Sequence, residues 1–452
     1  MRRRDFLKIG SLGVMSAMAA GAFGRKGYAE DMADKNLQVG LIGTGWYGKV
    51  DLLRLIQIAP VEVAALCDVH RPRLEKAGEI VAERQVSHKT PALYGDWRTM
   101  LDERPFDIIL VGTPDHWHAL PAIAAMEKGI DVWVQKPIGV DVVECQALSA
   151  AAKKNSRVTQ VGLQRRSTPH LIEMKKRFID SGEIGQVAQV DIYSHYGGGD
   201  LFQESSAPPE GFDYLMWTGP APTRPFYPVV ADRGWRSFME YGNGTVGDMG
   251  VHMFDMIRWL LGLGAPKRVS STGGRYVYTK GIQNISDTQT VIFDYENLQV
   301  VWNHRHWGGL SDQRHPWGAY LHGTKGLLKA SVFGWDFIPN GKSEPAESGD
   351  VVYELDQYPE DKTEQDLEKH TAPGVRGQMR DFVARIADRG ETVCPIAQGA
   401  ISTIGCILGN LSMQTGRTLE WDAEAGVIKN DDEANALLAR EYHNGWIHPT
   451  AG

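Results

Sequence analysis

The sequence predicts an α/β fold, with an N-terminal doubly wound parallel sheet followed by a C-terminal α/β domain that has an open-faced, mostly antiparallel sheet. Three observations support this prediction. An apolar run from Val39 ends in a G-x-G-x-x-G motif at residues 43–48, apolar strands alternate with helical patterns up to Leu163, and period-two strands dominate after it. Alternation of strands with helices is typical of parallel sheets, and successive period-two strands are typical of antiparallel sheets.

Residues 1–29 resemble an export signal, so they are left out of the fold. Arg3 and Arg4 begin the order R-R-x-F-L-K, which is similar to a twin-arginine signal, and a weakly apolar stretch leads to Gly27-Tyr28-Ala29. The small residues stand at the two positions that a signal peptidase reads. We therefore predict a periplasmic protein exported by the twin-arginine machinery. A membrane anchor is the alternative, but the segment is too weakly apolar to hold a bilayer.

The glycine-rich motif at residues 43–48 predicts a Rossmann domain that binds a dinucleotide. Gly43 permits the tight turn, Gly45 lets the backbone approach the phosphates, and Gly48 lets the following helix pack closely against the strand. The motif therefore predicts where the pyrophosphate of the cofactor binds.

Asp68 supports the same prediction. It ends the apolar strand Val61 to Cys67, twenty residues after Gly48, where a carboxylate would accept the ribose hydroxyls. We therefore expect NAD as the cofactor. Arg71 could instead neutralise a 2′-phosphate, so NADP is the less favoured alternative.

The remaining elements of the Rossmann domain, residues 36–163, follow from the alternation of patterns. The further predicted strands are 106–111, 130–134 and 158–163, and the predicted helices are 47–58, 118–128 and 141–154. Asp141 and Glu144 form a capping box that begins the last helix, and Gly129 ends the helix before it.

The pattern changes after Gln164, so residues 164–452 are predicted to form a second domain. Its predicted strands are 186–194, 288–295, 298–303 and 320–329, with a helix at 169–181 before them and a hairpin turn at 296–297. The passage 207–236 resembles a long ordered loop over a site. Helices at 375–387 and 396–412 are expected to pack on one sheet face.

Composition narrows the class of protein. The chain is 42% hydrophobic and 23% charged, as in an ordinary globular protein, and no stretch suits a transmembrane helix. The net charge of −8 includes +5 in residues 1–29, so the rest carries −13, which argues against nucleic acid or anionic membrane as a partner. The cysteines at 67, 145, 394 and 406 have no metal spacing, so disulfides are not expected to be the framework.

Polar clusters follow two more strands of the predicted parallel sheet. The sequence T-P-D-H-W-H at 113–118 follows one strand, and Q-K-P at 135–137 follows the next. Both lie at carboxyl ends of strands, where such sheets bind their ligands. A further cluster, G-D-M-G-V-H-M-F-D at 247–255, leads a helix on which Asp248 and His252 share one face.

Together these motifs resemble the Gfo/Idh/MocA oxidoreductases over nearly the whole chain after the export signal. The glycine motif, Asp68, T-P-D-H-W-H, the K-P pair, Q-R-R at 164–166 and the 247–255 cluster carry the resemblance, and residues 419–448 are similar to the bacterial branch of the family. The resemblance implies a Rossmann domain and an open-faced α/β domain, bound NAD or NADP, a carbohydrate or polyol substrate, and a homo-oligomer.

By this resemblance, Lys136 is the lysine of an E-K-P motif, and Asp248 and His252 are the D-x-x-x-H pair beside the substrate. The sequence departs from the motif at Gln135, where Glu is commoner, so a charge beside the lysine is lost. Oxidation of a secondary alcohol requires a base for the hydroxyl proton and a cation for the developing alkoxide. His252 suits the first task and Lys136 the second, with Asp248 orienting substrate or His252.

The predicted site has a cofactor side and a substrate side. The cofactor-binding residues are predicted to be Gly43, Thr44, Gly45, Trp46, Tyr47, Gly48, Asp68, Thr113, Pro114, His116, His118, Gln135, Lys136 and Gln164. The substrate-binding residues are predicted to be Lys136, Arg165, Trp235, Arg236, Asp248 and His252, with Tyr241, His304 and His306 as weaker candidates. Adjacent residues point apart on an extended chain, so only one of Arg165 and Arg166 is expected to bind substrate.

Structural roles are the alternatives for these residues. Lys136 could be a solvated surface lysine, His252 a core histidine and Asp248 an N-cap. Asp248, His252 and Asp255 could also be metal ligands, but nothing else completes a metal shell, so no metal is predicted.

The leading functional hypothesis is a periplasmic enzyme that moves a hydride between tightly bound NAD(P) and a secondary alcohol of a sugar, polyol or glycoside. A second hypothesis is a redox-neutral glycosidase that oxidises the sugar transiently, eliminates the aglycone, adds water and reduces again. A third is a noncatalytic sugar-binding protein, against which the presence of Asp68, Lys136, Asp248 and His252 argues.

Overall fold

A computed structural model describes residues 36–364 and 367–451. The predicted export signal therefore lies outside the described residues. The N-terminal part of the described chain contains a six-stranded sheet whose strands all run parallel, in the order β3-β2-β1-β4-β5-β6. The strands are β1 (Leu37–Ile42), β2 (Val61–Cys67), β3 (Ala92–Tyr94), β4 (Ile108–Val111), β5 (Asp131–Val134) and β6 (Thr159–Val161). This is the strand order of a Rossmann domain, so the predicted parallel sheet is confirmed.

Helices connect these strands. They are α1 (Trp46–Ile58), α2 (Arg71–Arg84), α3 (Trp97–Glu103), α4 (Ala119–Glu127) and α5 (Val142–Lys154). The sequence prediction lacks α2, β3 and α3, because β3 has only three residues and α2 buries only four of fourteen. Asp141 caps α5 as predicted, since its carboxylate accepts the Glu144 N–H at 2.8 Å. The Glu144 carboxylate, however, accepts from the backbone N–H of Val140, one residue before the cap.

The second sheet has ten strands within the described residues, in the order β14-β13-β12-β11-β7-β10-β9-β8-β15-β16. They are β7 (Val187–Ser194), β8 (Arg268–Gly274), β9 (Thr288–Asp294), β10 (Gln299–Arg305), β11 (Trp317–Gly323), β12 (Gly326–Ser331), β13 (Gly334–Pro339), β14 (Glu347–Asp350), β15 (Leu419–Asp422) and β16 (Val427–Ile428). Only β7 and β10 pair in parallel, so the predicted, mostly antiparallel sheet is confirmed.

One predicted strand of this sheet is wrong. Residues 320–329 form parts of two antiparallel strands, because the chain reverses at Thr324 and Lys325 between β11 and β12. The alternating pattern runs through this turn, so only the glycines on either side of it mark the reversal in the sequence. The hairpin predicted at residues 296–297 does join β9 to β10.

The second part of the chain also contains helices. They are α6 (Pro169–Met174), α7 (Tyr214–Thr218), α8 (Val251–Leu261), α9 (Ala372–Asp388), α10 (Ile396–Thr415) and α11 (Asp432–Asn435). A π-helical turn, Lys175–Asp180, continues α6, and another, Val246–Gly250, precedes α8. Among the described helices, α10 is long and apolar enough to cross a membrane, but 78% of its most apolar window is buried. It packs against β8, α5 and α8, as a core helix does.

The prediction that the helices at 375–387 and 396–412 pack on one sheet face is wrong. Val375, Met379 and Phe382 of α9 belong to the hydrophobic core that contains β1, β4 and Trp133. The helix therefore packs on the N-terminal sheet and against α1, while α10 packs on the second sheet. Both patterns are amphipathic, and amphipathicity alone does not say which sheet a helix covers.

The long passage 207–236 is ordered by a hydrophobic cluster of its own. Phe212, Trp217, Phe226 and Trp235 pack together with Tyr241 from just beyond the passage. The four cysteines are all buried and unpaired.

Candidate active site

A cavity of about 450 Å³ lies between the two sheets, at the carboxyl ends of the parallel strands. One side of the cavity is lined by residues that follow β1, β2, β4, β5 and β6, namely Gly43, Asp68, Thr113, Gln135 and Gln164. Residues of the second domain close the opposite side. Ligands of doubly wound sheets bind at this position.

The glycine-rich loop is shaped for a phosphate group. A side chain at Gly48 would place its Cβ 2.0 Å from the Gly43 carbonyl oxygen, whereas at Gly45 no atom lies within 4 Å. The loop therefore packs tightly against the next turn at Gly48 and leaves open space at Gly45. Thr113 Oγ1 and Gln164 Oε1 are buried without a hydrogen-bond partner among the described residues, so they are free to bind a polar ligand group. These features fit a dinucleotide.

Asp68 lies at the edge of the cavity and is held by the glycine-rich loop. Its Oδ2 accepts hydrogen bonds from the backbone N–H and the hydroxyl of Thr44, at 2.8 and 3.0 Å. Thr44 and Gly48 do not themselves line the cavity, so Thr44 would act on the cofactor through Asp68. Arg71 instead pairs with Glu75 on the exposed surface of α2.

Lys136 and Asp248 join the two domains inside the cavity. Lys136 Nζ donates to Asp248 Oδ1 at 2.6 Å and to the Asp248 carbonyl at 2.8 Å, and Arg236 Nε donates to the same carboxylate at 3.3 Å. Burial alone would raise the pKa of Asp248, but the charges of Lys136 and Arg236 lower it to about 2. Asp248 is therefore ionised, and its carboxylate fixes the ammonium group instead of capping the helix.

His252 lies one turn further along, in the first turn of α8. Its ring is buried, packs edge-on against Trp317 with centroids 5.3 Å apart, and leaves Nδ1 without a partner among the described residues. Burial, together with the charges of Lys136 and Arg165, lowers the pKa of His252 well below 6.5. The imidazole is therefore neutral at physiological pH and is able to accept a proton.

A hydrogen bond to Asp51 explains why position 135 carries Gln and not the Glu of the E-K-P motif. Its amide donates to Asp51 Oδ2 at 2.7 Å, and the Trp133 ring N–H donates to the same oxygen at 3.0 Å. Burial raises the pKa of Asp51 to about 7. A glutamate at position 135 would bring a second carboxylate against Asp51, whereas the amide can donate to it.

Arg165 and Arg166 point to different surroundings. Arg166 forms a bidentate pair with the buried Asp255, at 2.8 and 2.9 Å, and Asp255 also accepts from the Ser402 hydroxyl. Arg165 lines the cavity, and its guanidinium lies 4.7 Å from the centre of the Trp317 ring. The first arginine thus reaches the cavity, while the second holds the core together with Asp255.

The two histidines after β4 are tied to backbone carbonyls. His118 Nδ1 lies 2.6 Å from the Pro137 oxygen and its Nε2 lies 2.9 Å from the Thr113 oxygen, so it links two loops that line the cavity. His116 bonds the Trp217 carbonyl at 2.9 Å and does not line the cavity. Burial lowers the pKa of each to about 4. His118 is suited to positioning loops because both of its ring nitrogens lie against carbonyl oxygens, and His116 because it does not face the cavity.

The structure places the remaining predicted residues as follows. Trp46, Tyr47, Pro114, Trp235 and Arg236 line the cavity. Tyr241 lies in the aromatic cluster of the long loop, His304 bonds the Ser286 carbonyl, and His306 faces a neighbouring cavity.

Several lining residues have no motif in the sequence. They are Tyr196, Trp317, Phe333, Glu368 and His370. They come from the end of β7, the start of β11, the turn after β12 and the segment before α9. Only the tertiary fold brings them to the cavity, so no local pattern marks them.

Comparison with known proteins agrees with this architecture. Residues 37–163 match the family model described as "Oxidoreductase family, NAD-binding Rossmann fold", and residues 214–329 match "GFO/IDH/MocA C-terminal domain". Levoglucosan dehydrogenase of Pseudarthrobacter phenanthrenivorans is 30% identical over 230 residues, 50% of this chain and 52% of that protein. Inositol 2-dehydrogenase of Salmonella typhimurium is 31% identical over 156 residues, 34% of this chain and 44% of that protein. The matched segments thus span about half the length of these relatives.

A solved structure shares the fold over most of the chain. Levoglucosan dehydrogenase in complex with NADH and levoglucosan superposes with a TM-score of 0.63 at 20% identity, covering 85% of this chain and 99% of that one. The two family models match both domains, and the strand order and glycine-rich loop agree with them. The prediction of an NAD-binding Rossmann domain is confirmed, and the chain belongs to the Gfo/Idh/MocA family of NAD-dependent oxidoreductases.

Proposed function

We propose that the protein oxidises a secondary alcohol of a sugar, polyol or glycoside. The observation that carries this proposal is that Lys136, Asp248 and His252 line the same cavity as the glycine-rich loop and Asp68. The similarity to a levoglucosan dehydrogenase and an inositol 2-dehydrogenase supports the same class of substrate. When bound, NAD supplies the acceptor for the hydride.

The side chains support a division of labour in this reaction. The neutral His252 imidazole accepts the proton of the substrate hydroxyl. The Lys136 ammonium, held in place by Asp248, donates a hydrogen bond to the substrate oxygen as negative charge develops on it. Trp317 and residues of the long loop 207–236 line the cavity, and both interactions are stronger there than in bulk water.

The test is to follow reduction of NAD-loaded protein, by absorbance and fluorescence, with a panel of sugars, polyols and glycosides. We expect at least one of these alcohols to reduce the nucleotide, and His252→Ala to abolish that reduction while the nucleotide remains bound. Loaded protein that no member of the panel reduces would contradict the proposal.

We also propose that the protein works in the periplasm with NAD held tightly. The support is the R-R-x-F-L-K order at residues 3–8, because the twin-arginine route carries folded proteins and free nicotinamide nucleotide has no obvious periplasmic source. Protein purified from the periplasm should release stoichiometric nucleotide on denaturation, and added NAD should barely change its rate. Empty protein that needs millimolar NAD would contradict tight binding.

A bound cofactor favours a second candidate, the redox-neutral glycosidase. If the nucleotide cannot exchange after each turnover, the reduced nucleotide must pass its hydride on in place. The hydride is either transferred to a second substrate or returned to the molecule that was oxidised. Incubation with glycosides in deuterated water separates these routes. Deuterium beside the oxidised carbon of a hydrolysed product supports the glycosidase, and a free keto-sugar supports net oxidation.

Pairing of subunits through the open sheet is a further proposal. Helix α10 covers one face of the second sheet, whereas every second residue of β9 and β10, including Ile292 and Val301, is only half-buried. Light scattering of purified protein should give a multiple of the chain mass, and Val301→Arg should reduce it. A monomer at micromolar concentration would rule this interface out.

A further inference from the structure

Arg165 is a buried cation that forms no hydrogen bond through its guanidinium within the described part of the chain. It lies in the short turn after β6 and is only 1% exposed, yet none of its guanidinium nitrogens has a hydrogen-bond partner among the described residues. A buried charge that is neither paired nor hydrogen-bonded is costly. The native protein therefore keeps this arginine at the expense of stability.

Other buried arginines of the chain have carboxylate partners. Arg54 donates to Asp361 at 2.6 Å, Arg376 donates to Asp361 at 2.8 Å, and Arg166 forms its bidentate pair with Asp255. The fold thus provides carboxylates for guanidinium groups that have a structural role. Arg165 is the exception, and it is the one of these four that lines the cavity.

The surroundings of Arg165 place it on the substrate side of the cavity. Its guanidinium and the His252 ring both pack on Trp317, at 4.7 and 5.3 Å between centres. Glu368 lines the same cavity, but it accepts its hydrogen bond from Tyr47 and forms none with Arg165. Arg165 lines the cavity, although its guanidinium nitrogens expose almost no surface there, so a ligand reaches the guanidinium when a neighbouring side chain moves aside.

Charge favours a carboxylate over a neutral hydroxyl. Lys136 and Arg236 share the single carboxylate of Asp248, and Arg165 adds a further cation. Burial raises the pKa of Asp115 to about 7, so this carboxyl is a weak counter-ion, and Glu368 hydrogen-bonds Tyr47 instead of Arg165. A guanidinium fork matches a carboxylate with two parallel hydrogen bonds.

We propose that the substrate is a sugar acid, an aldonate or a uronate, whose carboxylate pairs with Arg165 while the hydroxyl to be oxidised contacts Lys136 and His252. The inference rests on the proposed function, since it names the substrate class of that site.

The experiment measures binding to NAD-loaded protein by calorimetry with three matched pairs. These are D-glucuronate with D-glucose, D-galacturonate with D-galactose, and D-gluconate with D-glucitol. We expect the acid of at least one pair to bind about tenfold or more tighter than its neutral partner. Arg165→Gln should weaken the acid far more than its neutral partner and so remove that preference, and Arg165→Lys should restore only part of it.

Each other outcome overturns either the inference or the proposed function. Neutral sugars that bind as well as the acids in every pair, or no binding by any acid, would exclude a carboxylate pocket. An acid preference that survives in Arg165→Gln would place the anion elsewhere. If a neutral sugar reduces the nucleotide and no acid binds, the proposed function stands and this inference fails. If acids bind at Arg165 but no alcohol reduces the nucleotide, the proposed function fails instead.

Thermal unfolding without sugar provides a second measurement. Arg165→Met removes an unpaired buried charge while filling similar space, so its Tm should exceed that of the wild type. The rise in Tm that the wild type shows with the preferred acid should be lost in this variant. A lower Tm for Arg165→Met would identify a structural guanidinium and contradict the inference.

Discussion

Lys136 Nζ lies 2.6 Å from Asp248 Oδ1, and this contact joins the end of strand β5 to the turn before helix α8. The two residues are 112 positions apart in the chain, and each belongs to a different domain. The position of the ammonium in the cavity therefore depends on both domains being correctly docked. An alcohol bound between them would contact a cation whose place is fixed before the reaction begins.

Removal of the Lys136 ammonium group should slow the chemical step and leave nucleotide binding unchanged. We expect Lys136→Ala to lower turnover by about 10²–10³-fold, because the developing alkoxide loses its donor. Single-turnover reduction of the bound nucleotide measures the chemical step, and the nucleotide released on denaturation measures binding.

The matched control is Lys128→Ala, which removes a lysine paired with Asp102 on the surface and should leave turnover unchanged. Lys136→Ala protein that turned over normally would remove Lys136 from the mechanism.

The pH dependence of the rate should reflect the buried setting of His252. Because its pKa is lowered well below 6.5, the neutral base persists as the pH falls through 6.5. We expect kcat/KM to stay flat from about pH 8 down through that value and to decline only at lower pH. An acid limb centred at or above 6.5 that disappears in His252→Ala would contradict the assignment of a neutral, buried base.

Local signals in the sequence predict most of the cofactor side of the cavity, although Thr44, Gly48 and His116 do not line it. The glycine motif, Asp68, Thr113 and Gln135 each follow a strand of the parallel sheet, and carboxyl ends of such strands meet at one edge. Identifying the strands was therefore enough to bring these residues together. The structure places them around one cavity.

Part of the substrate half depends on tertiary contacts that no local pattern encodes. Trp317 begins strand β11, and Glu368 lies in the segment before α9; neither stands in a motif, and both reach the cavity because the second sheet and α9 dock on the N-terminal domain. The sequence also does not predict the chain reversal at Thr324 and Lys325, because an unbroken alternating pattern does not show where a chain turns.

Asp68 should control the choice between NAD and NADP. Its carboxylate is held by Thr44 at the edge of the cavity, where it can accept ribose hydroxyls and repel a 2′-phosphate. We expect Asp68→Ala to weaken NAD more than NADP. Fluorescence titration of nucleotide-free protein with each cofactor measures the ratio, and Glu79→Ala, which breaks an exposed pair with Lys76 on α2, is the control. An unchanged ratio would remove Asp68 from the cofactor site.

The pair formed by Arg166 and Asp255 should matter for stability. Asp255→Ala leaves the buried Arg166 without its bidentate partner, so we expect a loss of about 3–5 kcal/mol in the free energy of unfolding. Asp102→Ala breaks the exposed pair with Lys128 and should cost no more than about 1 kcal/mol. Denaturant titration measures both values. Equal, small losses would mean that Arg166 finds another partner when Asp255 is removed.

Export should depend on the two arginines near the N-terminus. Arg3 and Arg4 lie outside the described residues, and the prediction rests on their place in the order R-R-x-F-L-K. Replacing both with lysine keeps the charge and the apolar stretch, so a route that reads only charge and hydrophobicity would still export the protein. The twin-arginine route would not, and fractionation of a host with this machinery should then find the variant in the cytoplasm. The control is Arg25→Lys with Lys26→Arg, which exchanges basic residues beyond the motif and should leave export intact. Double-lysine protein in the periplasm would contradict the twin-arginine assignment, and the reason for expecting a cofactor bound before export would go with it.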